Sequence, residues 1–189
     1  MKFFKLLLIL ALLLGCSPEK ESNFDVSGYQ GLDLNGQNVV LSELRIEKIA
    51  INVYSPTCAP CVKEIPALNH IFQELEVSKK GKLYIVADPY TIVDNSENMS
   101  FDEVYKKAVP ILKVDAAKRK IFAPILVMKR PFRVFQGNGL VTGTPETLLF
   151  RTSPLRLYYN FIGPISEEQN PLLIPKDAKV QFFKRMIGG

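Results

Sequence analysis

The sequence contains few histidine and cysteine residues, the usual ligands of zinc. Its 189 residues include one histidine, His70, and three cysteines, Cys16, Cys58 and Cys61. A structural zinc site takes four ligands in a tetrahedral arrangement, and Cys16 lies in an N-terminal segment far from the other two cysteines. The ligand count therefore argues against a zinc protein, and we predict no metal and no cofactor.

Basic residues are not concentrated in any part of the chain. Lysine and arginine number 24 against 19 acidic residues, which gives a net charge of +5. Proteins that bind nucleic acid carry a dense basic patch, whereas the basic residues here are scattered. We therefore expect no nucleic acid partner.

Long hydrophobic runs are also missing, apart from a short one near the N-terminus. Lys2 and Lys5 precede the apolar residues 6–14, a run too short to cross a bilayer, which takes a helix of roughly 20 residues. A short basic region followed by a short apolar one is typical of a secretory signal. We therefore expect the protein to be exported.

The end of this run resembles the lipobox of bacterial lipoproteins. It closes with Leu13-Leu14-Gly15-Cys16, and the resemblance implies that Cys16 becomes a lipidated N-terminus once residues 1–15 are removed. Residues 16–23 would then form a polar tether and residues 24–189 the folded domain, held at the membrane in the cell envelope and facing the periplasm. An ordinary signal peptide and an uncleaved anchor are the alternatives.

The other two cysteines lie at a predicted turn between a strand and a helix. Residues 49–54 are apolar and rich in β-branched side chains, as in a buried strand, and apolar residues recur at helical spacing from Ile65 onward. Cys58 therefore falls at a helix N-terminus, where the helix dipole lowers the pKa of a thiol. A disulfide that closes so short a loop restrains the unfolded chain little. The spacing instead predicts a redox pair for thiol–disulfide exchange, with Cys58 as nucleophile and Cys61 as resolving cysteine.

The periodicity of the rest of the chain predicts alternating strands and helices. A strand over 24–34 turns at Asn35-Gly36 into a return over 39–41 and forms an N-terminal hairpin. The helix after the cysteines runs to about residue 75 with a kink at Pro66. The further predicted elements are a strand over 83–87, a helix over 101–112, strands over 147–150 and 157–162 joined by a turn over 151–156, and a terminal helix over 176–187; the 90–138 region otherwise fits no standard template.

Together these features resemble the thioredoxin fold. The resemblance rests on a strand, a Cys-x-x-Cys turn, a helix with an early proline, a second strand, and Gly143-Thr144-Pro145 before a hairpin. It implies an α/β fold with a central mixed sheet flanked by helices on both faces and an N-terminal β-hairpin extension. It also implies that the Thr144–Pro145 peptide is cis, that Thr144 and Pro145 hold an extended substrate strand, and that Pro60 shapes the cysteine turn.

Two positions narrow the resemblance to the TlpA/ResA-like exported thiol-disulfide oxidoreductases. Asn52 stands where thioredoxin has a buried aspartate, and Glu64 follows the second cysteine by three residues, as in that group. The resemblance implies that Glu64 exchanges a proton with Cys61; the alternative is an acid that the dipole favours in the first turn of a helix. The family usually has a tryptophan before the first cysteine, where this chain has Thr57 and no tryptophan anywhere.

The resemblance implies a membrane-anchored reductase of protein disulfides, whose partners are client proteins and an upstream membrane thiol donor. A threonine before the proline, here Thr144, weakly favours a reductase, and the reverse direction, an oxidase, stays open. A metal-binding lipoprotein on a thioredoxin scaffold is one alternative, although related copper chaperones have wider cysteine spacing and a distal histidine. A peroxiredoxin-like peroxidase is another, suggested by Pro56 and Thr57, although their spacing from Cys58 does not fit.

Overall fold

The computed structural model describes residues 28–128 and 139–188. Within these residues the chain forms a seven-stranded sheet in the order β2-β1-β5-β4-β3-β6-β7. The strands are β1 (Gln30–Asp33), β2 (Asn38–Val40), β3 (Lys48–Tyr54), β4 (Lys82–Ala87), β5 (Ile125–Met128), β6 (Glu146–Thr152) and β7 (Leu155–Ile162). The helices are α1 (Ala59–Lys63), α2 (Ile65–Ser78), α3 (Phe101–Arg119) and α4 (Ala178–Gly188).

Several predictions made for the N-terminal part of the chain lie outside the described residues. They are the signal peptide over 1–15, the lipidation site Cys16 and the tether over 16–23. None of the helices within 28–128 and 139–188 is both long and apolar enough to cross a bilayer.

The sheet is built around β3. This strand pairs in parallel with β4 and antiparallel with β6, and all of its residues are buried. β4 pairs in parallel with β5, and the antiparallel hairpins β1–β2 and β6–β7 complete the two sides. The mixed sheet and the N-terminal hairpin are therefore confirmed.

Residues along β3 point alternately to the two faces of the sheet. Ala50 and Tyr54 join one hydrophobic cluster, to which all four helices contribute buried side chains. Ile49 and Ile51 join the other, whose members come from strands, loops and the 3₁₀ turn that contains Leu41. The flanking helices are confirmed, but in the described part of the chain they cover one face, not both. The reason is topological: β3, β4 and β5 follow one another in the same direction across the sheet, and two right-handed crossovers in that direction lie on the same face.

The helix after the cysteines is broken, not kinked. α1 ends at Lys63, and α2 starts at Ile65 with Pro66 in its first turn. Proline lacks an N–H and clashes with the carbonyl four residues earlier, so the first turn of a new helix is where it costs least. The break places Glu64 at the junction of the two helices.

The helix predicted over 101–112 continues to Arg119. It starts with a capping box at Ser100, and its buried residues keep helical spacing as far as Asp115. Pro110 lies inside this helix and is exposed. The prediction ended the helix too early, and the extension brings Asp115 and Arg119 onto one helical face.

The remaining elements agree with the sequence in type and differ in length. The apolar residues 125–128, which lie in the region that fits no standard template, form β5. The turn predicted over 151–156 is only Ser153-Pro154, because Arg151 and Arg156 pair with each other in the β6–β7 ladder. The terminal helix is α4.

Leu112 tests the position of α3. Its side chain is fully buried, so Leu112→Ala should lower the free energy of unfolding by about 2–5 kcal/mol. The adjacent Ile111 is 43% exposed, and Ile111→Ala should cost less than about 1 kcal/mol. Urea unfolding of both variants measures the difference, and equal losses would contradict this placement of the helix.

Candidate active site

The two cysteines of the predicted redox pair form a disulfide at the start of α1. The two sulfur atoms are 2.09 Å apart and the Cα atoms 5.3 Å apart. Cys58 is the N-cap of the helix, and its Sγ accepts a hydrogen bond from the N–H of Cys61 at 3.2 Å. Cys61 is fully buried, whereas Cys58 is half-buried. Of the two, Cys58 is the one that an external sulfur can reach, while the roles of nucleophile and resolving cysteine stay a prediction.

A short turn carries the chain from β3 to Cys58. The N–H of Cys58 donates to the carbonyl of Ser55 at 3.1 Å, which closes a four-residue turn with Pro56 in its second position. Val62 then donates to the carbonyl of Cys58 at 3.1 Å and starts the helix. Pro60 lies in the first turn of α1, where its missing N–H leaves no hydrogen bond unmade, and it is exposed.

Glu64 is fully buried and holds three parts of the chain together. Its Oε1 accepts from the side-chain amide of Asn52 on β3 at 2.7 Å, and its Oε2 accepts from the N–H of Ile165 at 2.9 Å. The Asn52 amide nitrogen also donates to Thr147 Oγ1 on β6 at 2.9 Å. The spacing of three residues places Glu64 on the same helical side as Cys61. Glu64 is therefore not a solvated acid of a first helical turn.

Burial changes the acidity of this carboxyl group. It raises the pKa of Glu64 to about 7, and the hydrogen bonds from Asn52 and Ile165 oppose that rise only in part. A carboxyl group with such a pKa can both accept and release a proton near neutral pH.

Thr144 and Pro145 lie at the edge of the sheet from which the cysteine turn emerges. Glu146 pairs with Val53 near the end of β3, so the preceding Pro145 lies beside that end. The Thr144–Pro145 peptide is cis, as predicted. Pro145 is buried, and its carbonyl accepts from the N–H of Gly163 at 3.0 Å. The sheet register therefore brings both residues to the cysteine edge, while their binding of a substrate strand stays a prediction.

A buried carboxylate anchors this proline loop. Glu146 accepts hydrogen bonds from the N–H of Thr142 at 2.9 Å, from the Thr142 hydroxyl, and from the Asn160 side chain at 3.2 Å. Its exposed fraction is 1%. Sequence reasoning missed this residue, although an acid directly after the proline of a strand-initiating loop was visible.

A second group of residues was missed on the other side of the turn. Tyr54 donates to Asp115, Asp115 accepts from Arg119, and Arg119 donates to the carbonyl of Pro56. No signal pointed to the two α3 residues, because the predicted helix ended before them. The sequence marks Asn52 as a departure from thioredoxin, but it does not indicate that Asn52 pairs with Glu64.

The metal-binding alternative requires a set of ligands, and the part of the chain that the structure describes contains none. No group of three or more histidine, cysteine or acidic side chains is arranged there to hold a metal ion. His70 lies on α2 with its Nε2 3.4 Å from Oε1 of Glu74, where it pairs within the helix.

The acidity of Glu64 predicts how stability depends on pH. Because the pKa is higher in the folded protein than in the unfolded chain, the stabilisation by the proton is full below about pH 4.5 and is lost as the pH rises through about 7. Glu64→Gln stays neutral throughout. We therefore expect the stability of the oxidised wild type, relative to this variant, to fall by on the order of 3 kcal/mol between about pH 4 and about pH 8. Denaturant unfolding at a series of pH values measures this, and parallel pH curves would contradict it.

Comparison with known proteins supports the fold that these features describe. No protein-family model matches the chain. Thioredoxin-like protein YneN of Bacillus subtilis is 31% identical over 100 residues, which cover 52% of this chain and 55% of the relative. The chain thus spans about half the length of this curated relative.

Two solved structures cover most of the chain. One is a thiol:disulfide interchange protein of the thioredoxin family from Chlorobium tepidum, with a TM-score of 0.52 and 18% identity, covering 80% of this chain and 94% of that one. The other is the thioredoxin domain of a thiol-disulfide oxidoreductase from Bacteroides vulgatus, with a TM-score of 0.54 and 16% identity, covering 84% and 91%. Similarity at this identity establishes the fold: the chain has a thioredoxin fold.

Proposed function

We propose that this protein is a thiol-disulfide oxidoreductase that reduces disulfides of client proteins. The observation that carries the proposal is the asymmetric disulfide at the start of α1, between a half-buried Cys58 and a fully buried Cys61. The two similar solved structures are described as a thiol:disulfide interchange protein and a thiol-disulfide oxidoreductase. Their names agree with the chemistry of the cysteine pair.

In the proposed reaction the reduced pair transfers two electrons to the client. The Cys58 thiolate attacks one sulfur of the client disulfide, a Cys58–client bond forms as the client bond breaks, and the released thiolate takes up a proton. Cys61, once deprotonated, attacks Cys58 Sγ and releases the second client thiolate, which is protonated in turn. The client leaves as a dithiol and the pair as a disulfide, so an external dithiol donor must reduce the pair again.

Glu64 is the proposed proton acceptor for Cys61. Both residues are fully buried, and water cannot easily take the proton that Cys61 must lose. A carboxyl group whose pKa is about 7 can take that proton during resolution and return it when the pair is reduced.

The substrate would lie between the cysteine turn and the proline loop. Pro60 is exposed beside Cys58, and the sheet register brings Thr144 and Pro145 to the same edge. Proline has no N–H to donate. An extended client strand in this position would therefore form its hydrogen bonds with the other backbone groups of the loop.

The direction of electron flow depends on the reduction potential of the pair. A value near that of thioredoxin, about −270 mV, corresponds to a reductase, and one near that of DsbA, about −120 mV, to an oxidase. We propose the reductase, supplied by a membrane thiol donor in the cell envelope. Equilibration of the pair with glutathione or a stronger dithiol buffer measures the potential, and a DsbA-like value would reverse the proposed direction.

Single substitutions separate the two cysteine roles. Cys58→Ser should abolish insulin reduction in the presence of a dithiol, because no nucleophile remains at the accessible position. Cys61→Ser should also lose turnover but accumulate the mixed disulfide with insulin, detectable by non-reducing electrophoresis and mass spectrometry. Full turnover by Cys58→Ser, or trapping by Cys58→Ser and not by Cys61→Ser, would overturn the assignment.

Export and lipidation form a separate part of the proposal, supported by residues 1–16 of the sequence. Cys16→Ser should abolish incorporation of a labelled fatty acid, because the thiol that forms the thioether is gone, while Cys58→Ser should retain the label. Labelling in cells followed by membrane fractionation measures both. A labelled Cys16→Ser protein, or an unlabelled wild type, would contradict lipidation at Cys16.

A further inference from the structure

Four residues on β3, α3 and the cysteine turn form a continuous chain of hydrogen bonds. The Tyr54 hydroxyl donates to Asp115 Oδ2 at 2.5 Å, and Arg119 Nε donates to Asp115 Oδ1 at 2.5 Å. Arg119 Nη2 then donates to the carbonyl oxygen of Pro56 at 3.2 Å. This series of hydrogen bonds therefore starts at the last residue of β3 and ends two residues before Cys58.

In this series of hydrogen bonds the negative charge of Asp115 lies farther from the cysteine turn than the positive charge of Arg119. Asp115 and Arg119 are four residues apart on α3 and form an ion pair, with Asp115 nearly buried and the Arg119 side chain 25% exposed. Asp115 lies between Tyr54 and Arg119, so the guanidinium group is the member in contact with the turn. Burial and the hydrogen bond to Asp115 raise the pKa of Tyr54, so this hydroxyl stays neutral.

We propose that Arg119, oriented by Asp115, is a positioning residue that fixes the turn before Cys58 and favours its thiolate by a positive charge. The inference rests on the proposed function, since it assigns the reactivity of Cys58 in thiol–disulfide exchange. A cation near a thiol lowers its pKa. A more stable thiolate favours the reduced pair over the disulfide, so Arg119 also makes the pair more oxidising.

Mechanical and electrostatic contributions act at the same point. The carbonyl that Arg119 holds belongs to the second residue of the turn that the Cys58 N–H closes on Ser55. Holding that carbonyl fixes the direction in which the turn presents the sulfur. The other titratable groups that the structure describes on the elements around the turn are Tyr54 at the end of β3, Asp88 directly after β4, Lys63 at the end of α1, Glu64 between α1 and α2, and Glu146 beside the proline loop.

The test compares Arg119→Gln, Arg119→Lys and the matched control Lys118→Gln. The amide nitrogen of Arg119→Gln takes the place of Nε and can still donate to Asp115, but this variant removes the charge and the donor to Pro56. Arg119→Lys keeps the charge. Lys118→Gln removes a charge from an exposed residue in the same helical turn. In the full-length reduced protein, the pH dependence of Cys58 alkylation by iodoacetamide reports its thiolate, and equilibration with glutathione reports the potential.

We expect Arg119→Gln to slow alkylation at about pH 7 by about three- to tenfold and to move its midpoint to higher pH. The glutathione equilibrium should shift towards the disulfide by a similar factor, where tenfold corresponds to about 30 mV for two electrons. Arg119→Lys should retain most of the wild-type values, and Lys118→Gln all of them. Unchanged values in Arg119→Gln, equal shifts in Lys118→Gln, or a loss in Arg119→Lys as large as in Arg119→Gln would overturn the inference.

These measurements need no client protein, so they separate this inference from the proposed function. If the wild type does not reduce insulin but the Cys58 titration still shifts in Arg119→Gln, the proposed function is wrong and the electrostatic role of Arg119 stands. If the wild type reduces insulin but the Cys58 titration does not shift in Arg119→Gln, the role of Arg119 is wrong and the proposed function stands.

Discussion

The structure depends on a carboxyl group that is buried although water would solvate it better. Glu64 has no exposed surface and is held by Asn52 of β3 and by the backbone of Ile165. Through Asn52 the same network reaches Thr147 on β6. The network therefore joins four segments of the chain: β3, the junction of α1 and α2, β6 and the stretch at Ile165. The desolvation that raises the pKa of Glu64 is unfavourable for stability at neutral pH, and it gives the group an acidity suited to proton exchange with a thiol.

The cysteine turn is held from two sides by different means. On one side the Glu64 network fixes the helix junction behind Cys61, and on the other Arg119 holds the carbonyl of Pro56. The proposed exchange requires one accessible sulfur and a second, protected sulfur that lies close enough to attack the first. A strand end, a proline-containing turn and a helix N-cap, each tied to a neighbouring element, satisfy both requirements. The proline loop completes the edge, anchored by the buried carboxylate of Glu146.

The sequence predicts features that depend on neighbouring residues better than features that depend on residues distant in the chain. The strand at 49–54, the cysteine turn and the hairpins were predictable, because hydrophobic periodicity and turn residues are local signals. The length of α3 was not, since Pro110 and a charged C-terminal half obscured a helix whose inner face is fixed by contacts with the core. The placement of all described helices on one face was also missed, because it follows from strand order, which periodicity does not encode.

The cysteine pair, its position at a helix start and the proline before the C-terminal hairpin could be predicted from the sequence, since each depends on neighbouring residues. The groups that surround the pair could not. Asn52, Asp115 and Arg119 reach the site from β3 and α3, and each has a hydrogen-bond partner outside its own element. Burial and hydrogen bonds to these other segments set the acidity of Glu64 and the position of the Arg119 guanidinium, and the spacing of residues in the sequence encodes neither.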